Sequence, residues 1–310
     1  MRALKRLMAG ICARAAFGAL RLLPPRHALA LMGFVFSHLG PRLPSTIRMR
    51  RTLELAFPAL SEAEREMRVR KVWNSFGRTV ATIPHLPNFA AGRRGALVTA
   101  RNFHNYQKLE GKPAIIIGAH VGNWEVASAM PKAHTRHVTV SYKPARNPYV
   151  ETLIQGFRAA SGTYFVRKEN IPRVSAQTLR SGNIMYFTID QRVSPGDEIS
   201  FLGLPAMSSR LPARLAVKYN CPVLPVEAVW VKDAQYESVF HEPLYPDLTI
   251  ADEAARVHEL MNRMFRQIEA MILRRPDEWF CLKARWSEAE RAINLNDRAA
   301  AEARAAALRD

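Results

Sequence analysis

From residue 114 onward, short apolar runs alternate with longer amphipathic stretches, and this alternation restricts the possible folds more than any other feature. The runs have the length of strands and the stretches between them have the length of helices. The predicted strands are Ala114–Ile117, Val138–Ser141, Tyr164–Val166 and Ile184–Ile189, followed by the strand-like Val223–Val226 and Ala228–Val231 with Pro225 interrupting them. The predicted helices begin near Asn123 and span Pro148–Ala160, Pro172–Arg180 and Pro212–Tyr219. We therefore predict an α/β fold with a mostly parallel central sheet covered by helices on both faces.

Two further helices are predicted on either side of this alternating region. Ser61 and Glu64 have the spacing of a capping box, which predicts a helix running to about Thr82. Apolar residues recur at helical spacing between Val257 and Ile272, which indicates a long amphipathic helix. We divide the chain into N-terminal helices at 1–45, a main domain at 46–286 and a helical or frayed tail at 287–310.

The N-terminal segment is strongly basic, because no acidic residue precedes Glu54. Over the whole chain, 45 Lys and Arg against 27 Asp and Glu give a net charge of +18, which suits an anionic partner. In a helix over residues 2–23, one stripe is apolar and comprises Leu4, Met8, Ile11, Ala15 and Leu22. No uninterrupted apolar run is long enough to predict a spanning helix. We expect a helix lying on a membrane surface; the alternative is an ordinary amphipathic helix docked on the domain.

The sequence contains no pattern typical of a metal or cofactor site. Its three cysteines, Cys12, Cys221 and Cys281, form no closely spaced pair. Neither G-x-G-x-x-G nor the P-loop pattern occurs, and His258-Glu259 lacks the second histidine of a zinc protease motif. We therefore predict no metal and no cofactor.

Polar residues collect where the predicted strands end. His120 follows the first strand, and the residues after the next three are Tyr142, Lys143, Arg146 and Asn147, then Arg167, then Asp190, Gln191 and Arg192. Ligands of open α/β sheets bind outside the carboxyl ends of the strands. Because most of the charged residues among them are cationic, we expect one cleft that binds an anionic molecule. The alternatives are solvated surface positions for the cations and turn capping for Asp190.

His120 is the candidate general base of this cleft. Glu125, five residues later, is predicted to fold back and hold the imidazole in its productive tautomer. No G-x-S-x-G nucleophile elbow accompanies the two residues, so the base is expected to activate a hydroxyl that arrives with the substrate. A structural histidine is the alternative.

Three segments resemble the lauroyl/myristoyl family of late acyltransferases in lipid A biosynthesis. Residues 120–125, H-V-G-N-W-E, resemble the H-x4-[DE] box of the wider glycerolipid acyltransferase group. Residues 142–148 resemble the family's Y-R-P…N-P segment, with Lys143 in place of arginine, and residues 190–206 resemble its D-Q…F-x-G-x-x-A segment. The resemblance covers about residues 5–286. Near its end, Cys281 and Lys283 replace the family's usual tryptophan and histidine.

The resemblance implies an O-acyltransferase at the cytoplasmic face of the inner membrane. Its donor would be an acyl carrier protein thioester and its acceptor a hydroxyl of a phosphorylated membrane lipid, a lipid A precursor. His120 and Glu125 would be catalytic, and the substrate-binding residues would be Asn123, Tyr142, Lys143, Arg146, Asn147, Arg167, Asp190, Gln191 and Arg192. The alternatives are acylation of another membrane lipid and, in a different class, a non-catalytic protein that binds membrane or nucleic acid. We expect no nucleic acid partner, since no aromatic stacking platforms accompany the basic clusters.

Overall fold

A seven-stranded sheet forms the centre of the computed structural model, which describes residues 2–128, 137–159 and 164–287. The strands are β1 (Leu97–Arg101), β2 (Ala114–Gly118), β3 (Val138–Tyr142), β4 (Tyr164–Arg167), β5 (Ile184–Thr188), β6 (Asp197–Phe201), β7 (Leu204–Ser208), β8 (Val223–Lys232) and β9 (Gln235–Phe240). The sheet order is β1-β9-β8-β2-β5-β3-β4, and β6 and β7 form a separate hairpin. Within the seven-stranded sheet, β8 and β9 pair antiparallel and the other neighbours pair parallel, which confirms the predicted sheet.

The described α-helices precede, connect and follow these strands. They are α1 (Arg2–Leu22), α2 (Pro25–Leu39), α3 (Thr46–Ala56), α4 (Glu62–Thr82), α5 (Leu86–Ala91), α6 (His104–Gln107), α7 (Trp124–Ser128), α8 (Pro148–Ala159), α9 (Ile171–Arg180), α10 (Leu211–Tyr219) and α11 (Glu253–Arg274). Short 3-10 turns lie at Gly40–Arg42, Ile83–His85, Lys168–Asn170 and Pro276–Glu278. The capping box is present at the start of α4, where Ser61 and Glu64 bond to each other's backbone N–H.

Helices cover both faces of the sheet, as predicted. In β2, Ile115 and Ile117 pack into the core cluster that contains α9, α10 and α11, whereas Ile116 packs into the cluster that contains α6. All three are buried, which explains why this strand is an uninterrupted apolar run rather than an alternating one. The chain moves outward from β3 to β4 through α8 and back to β5 through α9. Because parallel crossovers are right-handed, α8 and α9 lie on opposite faces.

The two N-terminal helices pack closely onto the domain. At Gly77 of α4, an added Cβ would lie 2.2 Å from the carbonyl oxygen of Met32 in α2, so glycine is required for this approach. On the other side, Gly10 of α1 lies against Tyr149 of α8, and Asn147 donates to the carbonyl oxygen of Arg6 at 2.8 Å. Among the described residues, none of the helices combines the length and apolar content needed to cross a bilayer.

Several elements differ from the sequence-based prediction. Pro225 does not break its strand, because the pairing of β8 with β2 ends at the Ile117–Pro225 rung and the pairing with β9 begins at Val226. A proline, which lacks the N–H, is tolerated where the partner changes. The edge strand β1, the hairpin β6–β7 and the strand β9 were not predicted. The predicted tail lies outside the described residues from 288 onward, as does the continuation of the helix that begins near Asn123.

Candidate active site

A cavity of about 450 Å³ opens at the carboxyl ends of β2, β3 and β5. Its polar lining residues include His120, Glu125, Tyr142, Lys143, Arg158, Gln191 and Lys283. Its apolar lining residues include Trp124, Val140, Phe165, Ile171, Phe280 and Leu282. The cavity therefore has space for an apolar chain beside cations and a histidine.

His120 is held by Asp190 through the pairing of β2 with β5. Gly118 and Thr188 form the last rung of that pairing, so His120 and Asp190 each lie two residues beyond it. Nδ1 of His120 lies 2.8 Å from Oδ1 of Asp190. The other carboxylate oxygen of Asp190 accepts a hydrogen bond from Nε1 of Trp279 at 3.1 Å. Asp190 is buried, while the His120 side chain remains 18% exposed.

Asp190 is ionised in this arrangement. Burial alone would raise the pKa of its carboxyl group, but the interaction with the adjacent His120 ring and the hydrogen bonds from His120 and Trp279 outweigh burial and lower it. An ionised carboxylate only accepts hydrogen bonds, so Nδ1 of His120 must carry the proton. This fixes the tautomer and leaves Nε2 of the ring as the basic nitrogen facing the cavity.

Gln191 lies against the His120 imidazole. Its Nε2 is 3.2 Å from Nε2 and 3.4 Å from Nδ1 of His120, and its Oε1 accepts a hydrogen bond from Nζ of Lys283. The lysine determines the amide orientation, because an ammonium donates only to the oxygen. Gln191 therefore presents N–H donors beside the basic nitrogen of the ring.

Glu125 pairs with Arg158, whereas Asp190 holds Nδ1 of His120, which corrects the predicted pairing. Its two carboxylate oxygens accept hydrogen bonds from Arg158 of α8, at 2.9 Å from Nε and 2.6 Å from Nη2. The reason is geometric: Glu125 lies on the first turn of α7, next to α8, whereas the paired strands bring Asp190 to the ring. Burial would lower the pKa of Arg158, but the charge of Glu125 and its hydrogen bonds raise it, so the cation is retained at the cavity wall.

A second buried carboxylate supports the β3–α8 corner. Glu151 accepts hydrogen bonds from the Tyr142 hydroxyl at 2.7 Å and from the Ala145 backbone N–H at 2.8 Å. Burial and the contact with Glu151 raise the pKa of Tyr142, so its hydroxyl stays protonated and serves as a donor. Arg158 lies 4.4 Å from the centre of the Phe165 ring and thereby packs against the apolar side of the same wall.

Aromatic rings close the opposite wall. Phe280 stacks on Phe76 with ring centroids 3.9 Å apart, and Trp124 packs between Phe280 and the His120 ring, at 5.8 and 5.1 Å. The backbone N–H of Phe280 donates to the carbonyl oxygen of His120 at 2.8 Å, which joins this wall to the catalytic turn. The segment after α11 is therefore part of the site.

The structure brings some of the predicted site residues into the cavity and leaves others outside it. His120, Glu125, Tyr142, Lys143 and Gln191 line the cavity, and Asp190 lies directly behind His120. Arg167 faces Tyr142 on the neighbouring strand. Arg146, Arg167 and Arg192 are not among the residues that line the cavity.

Asn123 and Asn147, both predicted to bind substrate, have structural contacts instead. The Asn123 side chain is buried, donates to the Thr82 hydroxyl at 2.8 Å and accepts from the backbone N–H of Val126 at the start of α7. Asn147 accepts from the backbone N–H of Tyr149 at the start of α8 and donates to α1. A side-chain amide that caps a helix is favoured where backbone donors need a partner, and this accounts for both positions.

Sequence reasoning missed Arg158, Lys283 and Trp279 as members of the site. Arg158 lies within a predicted helix, where no pattern distinguished it from a solvated cation. Lys283 and Trp279 follow the last helix, and the bridge between Val121 and Trp279, together with the hydrogen bond from Phe280 to His120, brings this segment back to the sheet. The available signal was the tryptophan-rich segment near the end of the region that resembles the acyltransferase family.

Chemically, the arrangement can supply a general base, since the histidine has its tautomer fixed and is flanked by N–H donors and an apolar wall. Among the described side chains of the cavity wall, none is a serine or cysteine nucleophile bonded to His120. The basic nitrogen is thus available to a hydroxyl on a bound molecule.

Comparison with known proteins identifies a matching family model. The model described as bacterial lipid A biosynthesis acyltransferase matches residues 3–288. No curated protein matches the sequence. Among solved structures, the chain is similar to the crystal structure of PlsC, the 1-acyl-sn-glycerophosphate (LPA) acyltransferase from Thermotoga maritima, with 16% identity and a TM-score of 0.38 over 85% of this chain and 100% of that chain.

Proposed function

The chain belongs to the bacterial lipid A biosynthesis acyltransferase family, and on this premise we propose that it transfers a fatty acyl chain from acyl carrier protein to a hydroxyl of a lipid A precursor. The enzyme is an acyltransferase. The observation that carries the proposed mechanism is the 2.8 Å contact between Nδ1 of His120 and Asp190 at the base of a partly apolar cavity.

In the proposed reaction, Nε2 of His120 takes the proton of the acceptor hydroxyl as its oxygen attacks the carbonyl carbon of the thioester. The new C–O bond gives a tetrahedral intermediate with a negatively charged oxygen. When the intermediate collapses, the C–S bond breaks and the proton on Nε2 passes to the leaving thiolate. The products are the acylated lipid and the free thiol of the carrier. A base of this kind contributes about 10²–10⁴-fold to the rate.

The intermediate needs donors close to the ring, and we propose that Gln191 and Arg158 supply them. The Gln191 amide lies 3.2 Å from the basic nitrogen, so an arriving hydroxyl takes its place on the ring and frees an N–H for the new oxyanion. Arg158 lines the same cavity, where its guanidinium is oriented by Glu125. In this mechanism Glu125 acts through Arg158, and Asp190 has the orienting role that the sequence suggested for Glu125.

The cavity lining also supports a lipid acceptor with anionic groups. Lys143 and Lys283 line the cavity and carry positive charge for phosphate groups. Val140, Phe165 and Ile171 line it with apolar surface for an acyl chain. Another phosphorylated membrane lipid has the same two requirements and is the alternative acceptor.

We also propose that the enzyme works at the cytoplasmic face of the inner membrane. The support is the exposed surface of α1 and α2, whose large apolar side chains Leu4, Met8, Ile11, Leu22, Leu31, Phe34 and Leu39 are in contact with solvent. Arginines and lysines are interspersed, and no acidic residue occurs before Glu54. Exposed apolar side chains among cations favour the surface of an anionic membrane.

The test is transfer by the purified protein from an acyl carrier protein thioester to a lipid A precursor in anionic vesicles, followed by mass spectrometry. We expect an acylated product with the wild-type chain and a rate about 10²–10⁴-fold lower with His120→Ala. Undiminished transfer by the variant would disprove the mechanism. If the product is an acylated phospholipid and not an acylated lipid A precursor, the acceptor assignment is wrong and the proposed reaction chemistry is retained.

A further inference from the structure

Two neighbouring helices carry rows of exposed cations. On α9, Arg173 and Arg180 are seven residues apart. On α10, Arg210 at the N-cap is followed by Arg214 and Lys218 at intervals of four residues. Residues at these spacings lie on one face of a helix. Neither α9 nor α10 contains an acidic residue, and all five cations are exposed. We call these five residues the α9–α10 basic surface.

The two helices of the α9–α10 basic surface are adjacent, and α1 lies on the other face of the sheet. The two helices contact each other, and both belong to the core cluster on one face of the sheet. In contrast, α1 contacts α8, which lies on the opposite face because the crossovers before and after β4 run in opposite directions. A membrane that contacts α1 would therefore leave the α9–α10 basic surface facing water.

This surface also lacks the apolar component that a membrane-binding surface has. The exposed large apolar side chains of the described residues include members of α1, α2 and α3 but none of α9 or α10. Two helices with rows of cations and no exposed large apolar side chain of their own match a hydrated, acidic partner, since complementary charge guides such partners to their docking site.

The α9–α10 basic surface begins at the edge of the sheet where the active site opens. Ile171, the first residue of α9, lines the active-site cavity. A second cavity of about 270 Å³ includes Arg210 and Arg214 in its wall, together with Val193 and with Asp197, which lies 3.6 Å from Arg210. Gln191 lines the first cavity and Val193 lines the second. The two cavities are therefore neighbours, because two residues of extended chain span at most about 7 Å. A molecule docked on α9 and α10 is therefore close to His120.

We propose that the α9–α10 basic surface is the docking site of the acyl donor's protein component, an acidic carrier protein that delivers the acyl chain as a thioester on a flexible arm. The inference rests on the proposed function for its donor and adds where that donor binds. The carrier lies on the face of the sheet away from α1 and extends its arm past the start of α9 into the active-site cavity. The lipid acceptor, presented by the membrane, enters from the side of α1.

The test reverses three of these charges in the full-length protein. Binding of a purified, fluorescently labelled acyl carrier protein is measured by anisotropy for the wild type, for Arg173→Glu/Arg214→Glu/Lys218→Glu, and for the matched control Arg93→Glu/Lys112→Glu/Lys232→Glu. The control changes the net charge equally at exposed positions outside the surface. We expect the Kd to rise at least about tenfold for the first variant only, and wild-type binding to weaken as salt is added.

A parallel measurement compares two donors, the acyl carrier protein thioester and an acyl-pantetheine without the protein. The KM for the carrier-borne donor should rise at least about tenfold more than that for the small donor in the α9–α10 variant. Three outcomes would each overturn the docking site. All three proteins could bind the carrier equally, or both variants could lose binding equally. The α9–α10 variant could also lose binding to anionic vesicles instead of binding to the carrier.

The proposed function and the docking site fail in different ways. Transfer from the carrier by the wild type, with an unchanged KM in the α9–α10 variant, overturns the docking site and retains the function. Carrier binding that depends on this surface, without acylation of a lipid A precursor, supports the docking site and overturns the acceptor assignment. A wild-type protein that does not bind the carrier overturns both.

Discussion

His120 and Asp190 lie 70 residues apart in the chain, yet they occupy equivalent positions beyond the last rung of two adjacent parallel strands, and 2.8 Å separates their side chains. The strand pairing thus fixes the distance between the proposed base and its orienting carboxylate, because neither side chain depends on a long loop for its position. Trp279 holds the remaining carboxylate oxygen, so the acid has little freedom to rotate.

Replacing Asp190 with asparagine should remove catalysis without removing the fold. The amide oxygen of the new side chain would still accept from Trp279, so its NH₂ group would face Nδ1 of His120 and favour the tautomer with the proton on Nε2. We expect kcat to fall by about 10²–10⁴-fold. The measurement is the transfer rate, with circular dichroism to establish that the variant is folded.

Asp233→Asn is the matched control for this change. Asp233 is exposed and has a φ of 46°, a conformation that asparagine adopts readily. The acyl transfer rate of Asp233→Asn should equal that of the wild type. A rate for Asp190→Asn within a few fold of the wild type would show that the ring does not need this carboxylate.

The Glu125–Arg158 pair should behave as one unit in a double-mutant cycle. Glu125→Gln removes the buried carboxylate that contacts the guanidinium at 2.6 and 2.9 Å, and we expect the free energy of unfolding to fall by about 3 kcal/mol. The double variant Glu125→Gln/Arg158→Gln should lose less free energy of unfolding than the two single variants together. The reason is that removing both groups leaves neither charge buried without its partner.

The same four proteins are assayed for acyl transfer. If Glu125 acts through Arg158, Glu125→Gln should lower the rate much less when Arg158 is already replaced. Independent effects of the two substitutions on stability and on rate would contradict the coupling.

Two glycines of α1 should respond in opposite ways to alanine. An added Cβ at Gly10 would lie 2.4 Å from Cβ of Tyr149, whereas at Gly18 it would meet nothing within 4 Å. Gly10→Ala should therefore loosen α1 from α8 and increase proteolysis after Arg14, measured with trypsin on the protein without lipid. Gly18→Ala should reduce cleavage, since alanine favours the helix by about 0.5–1 kcal/mol. Equal protection of the two variants would mean that α1 does not dock through Gly10.

Glu269 should make stability depend on pH. Burial raises the pKa of its carboxyl group, and the backbone N–H of Leu202 donates to it. The native state therefore holds this proton more tightly than the unfolded state, and the free energy of unfolding falls as the pH rises from the ordinary glutamate pKa through the raised one. Glu269→Gln keeps an acceptor for Leu202 without the charge, so it should be more stable than the wild type at pH 7 and lose that advantage near about pH 4.

Denaturant unfolding at the two pH values measures this difference. Glu110→Gln, at an exposed position, controls for the loss of one acidic group. An advantage of Glu269→Gln that is equal at both pH values would show that the buried carboxyl is not the group that titrates.

The sequence was informative wherever local chemistry determined the structure. Four apolar residues from Ala114 predicted β2, the capping box at Ser61 predicted the start of α4, and His120 at the end of a buried strand was correctly expected in the cavity. Each depends on residues close together in the chain, such as periodicity or a cap.

What escaped prediction depends on strand order. The partner of His120 was expected five residues away, at Glu125, because the sequence does not reveal that β5 inserts between β2 and β3. The same limit hid Trp279 and Lys283, which return to the site only after α11. The edge strand β1 was missed because its side chains are exposed except for the half-buried Val98. The strand therefore has no alternation of buried and exposed residues that the sequence could reveal.

The insertion of β5 between β2 and β3 has a consequence for when the enzyme becomes active during its synthesis. The ribosome makes His120 and the strands on both sides of that gap before it makes Asp190, so the emerging chain carries an imidazole without its orienting acid. Only when β5 has entered the gap does the reactive tautomer become fixed. In the proposed mechanism, a nascent or partly assembled molecule therefore lacks the oriented base, and full transfer activity marks the insertion of β5 into the sheet.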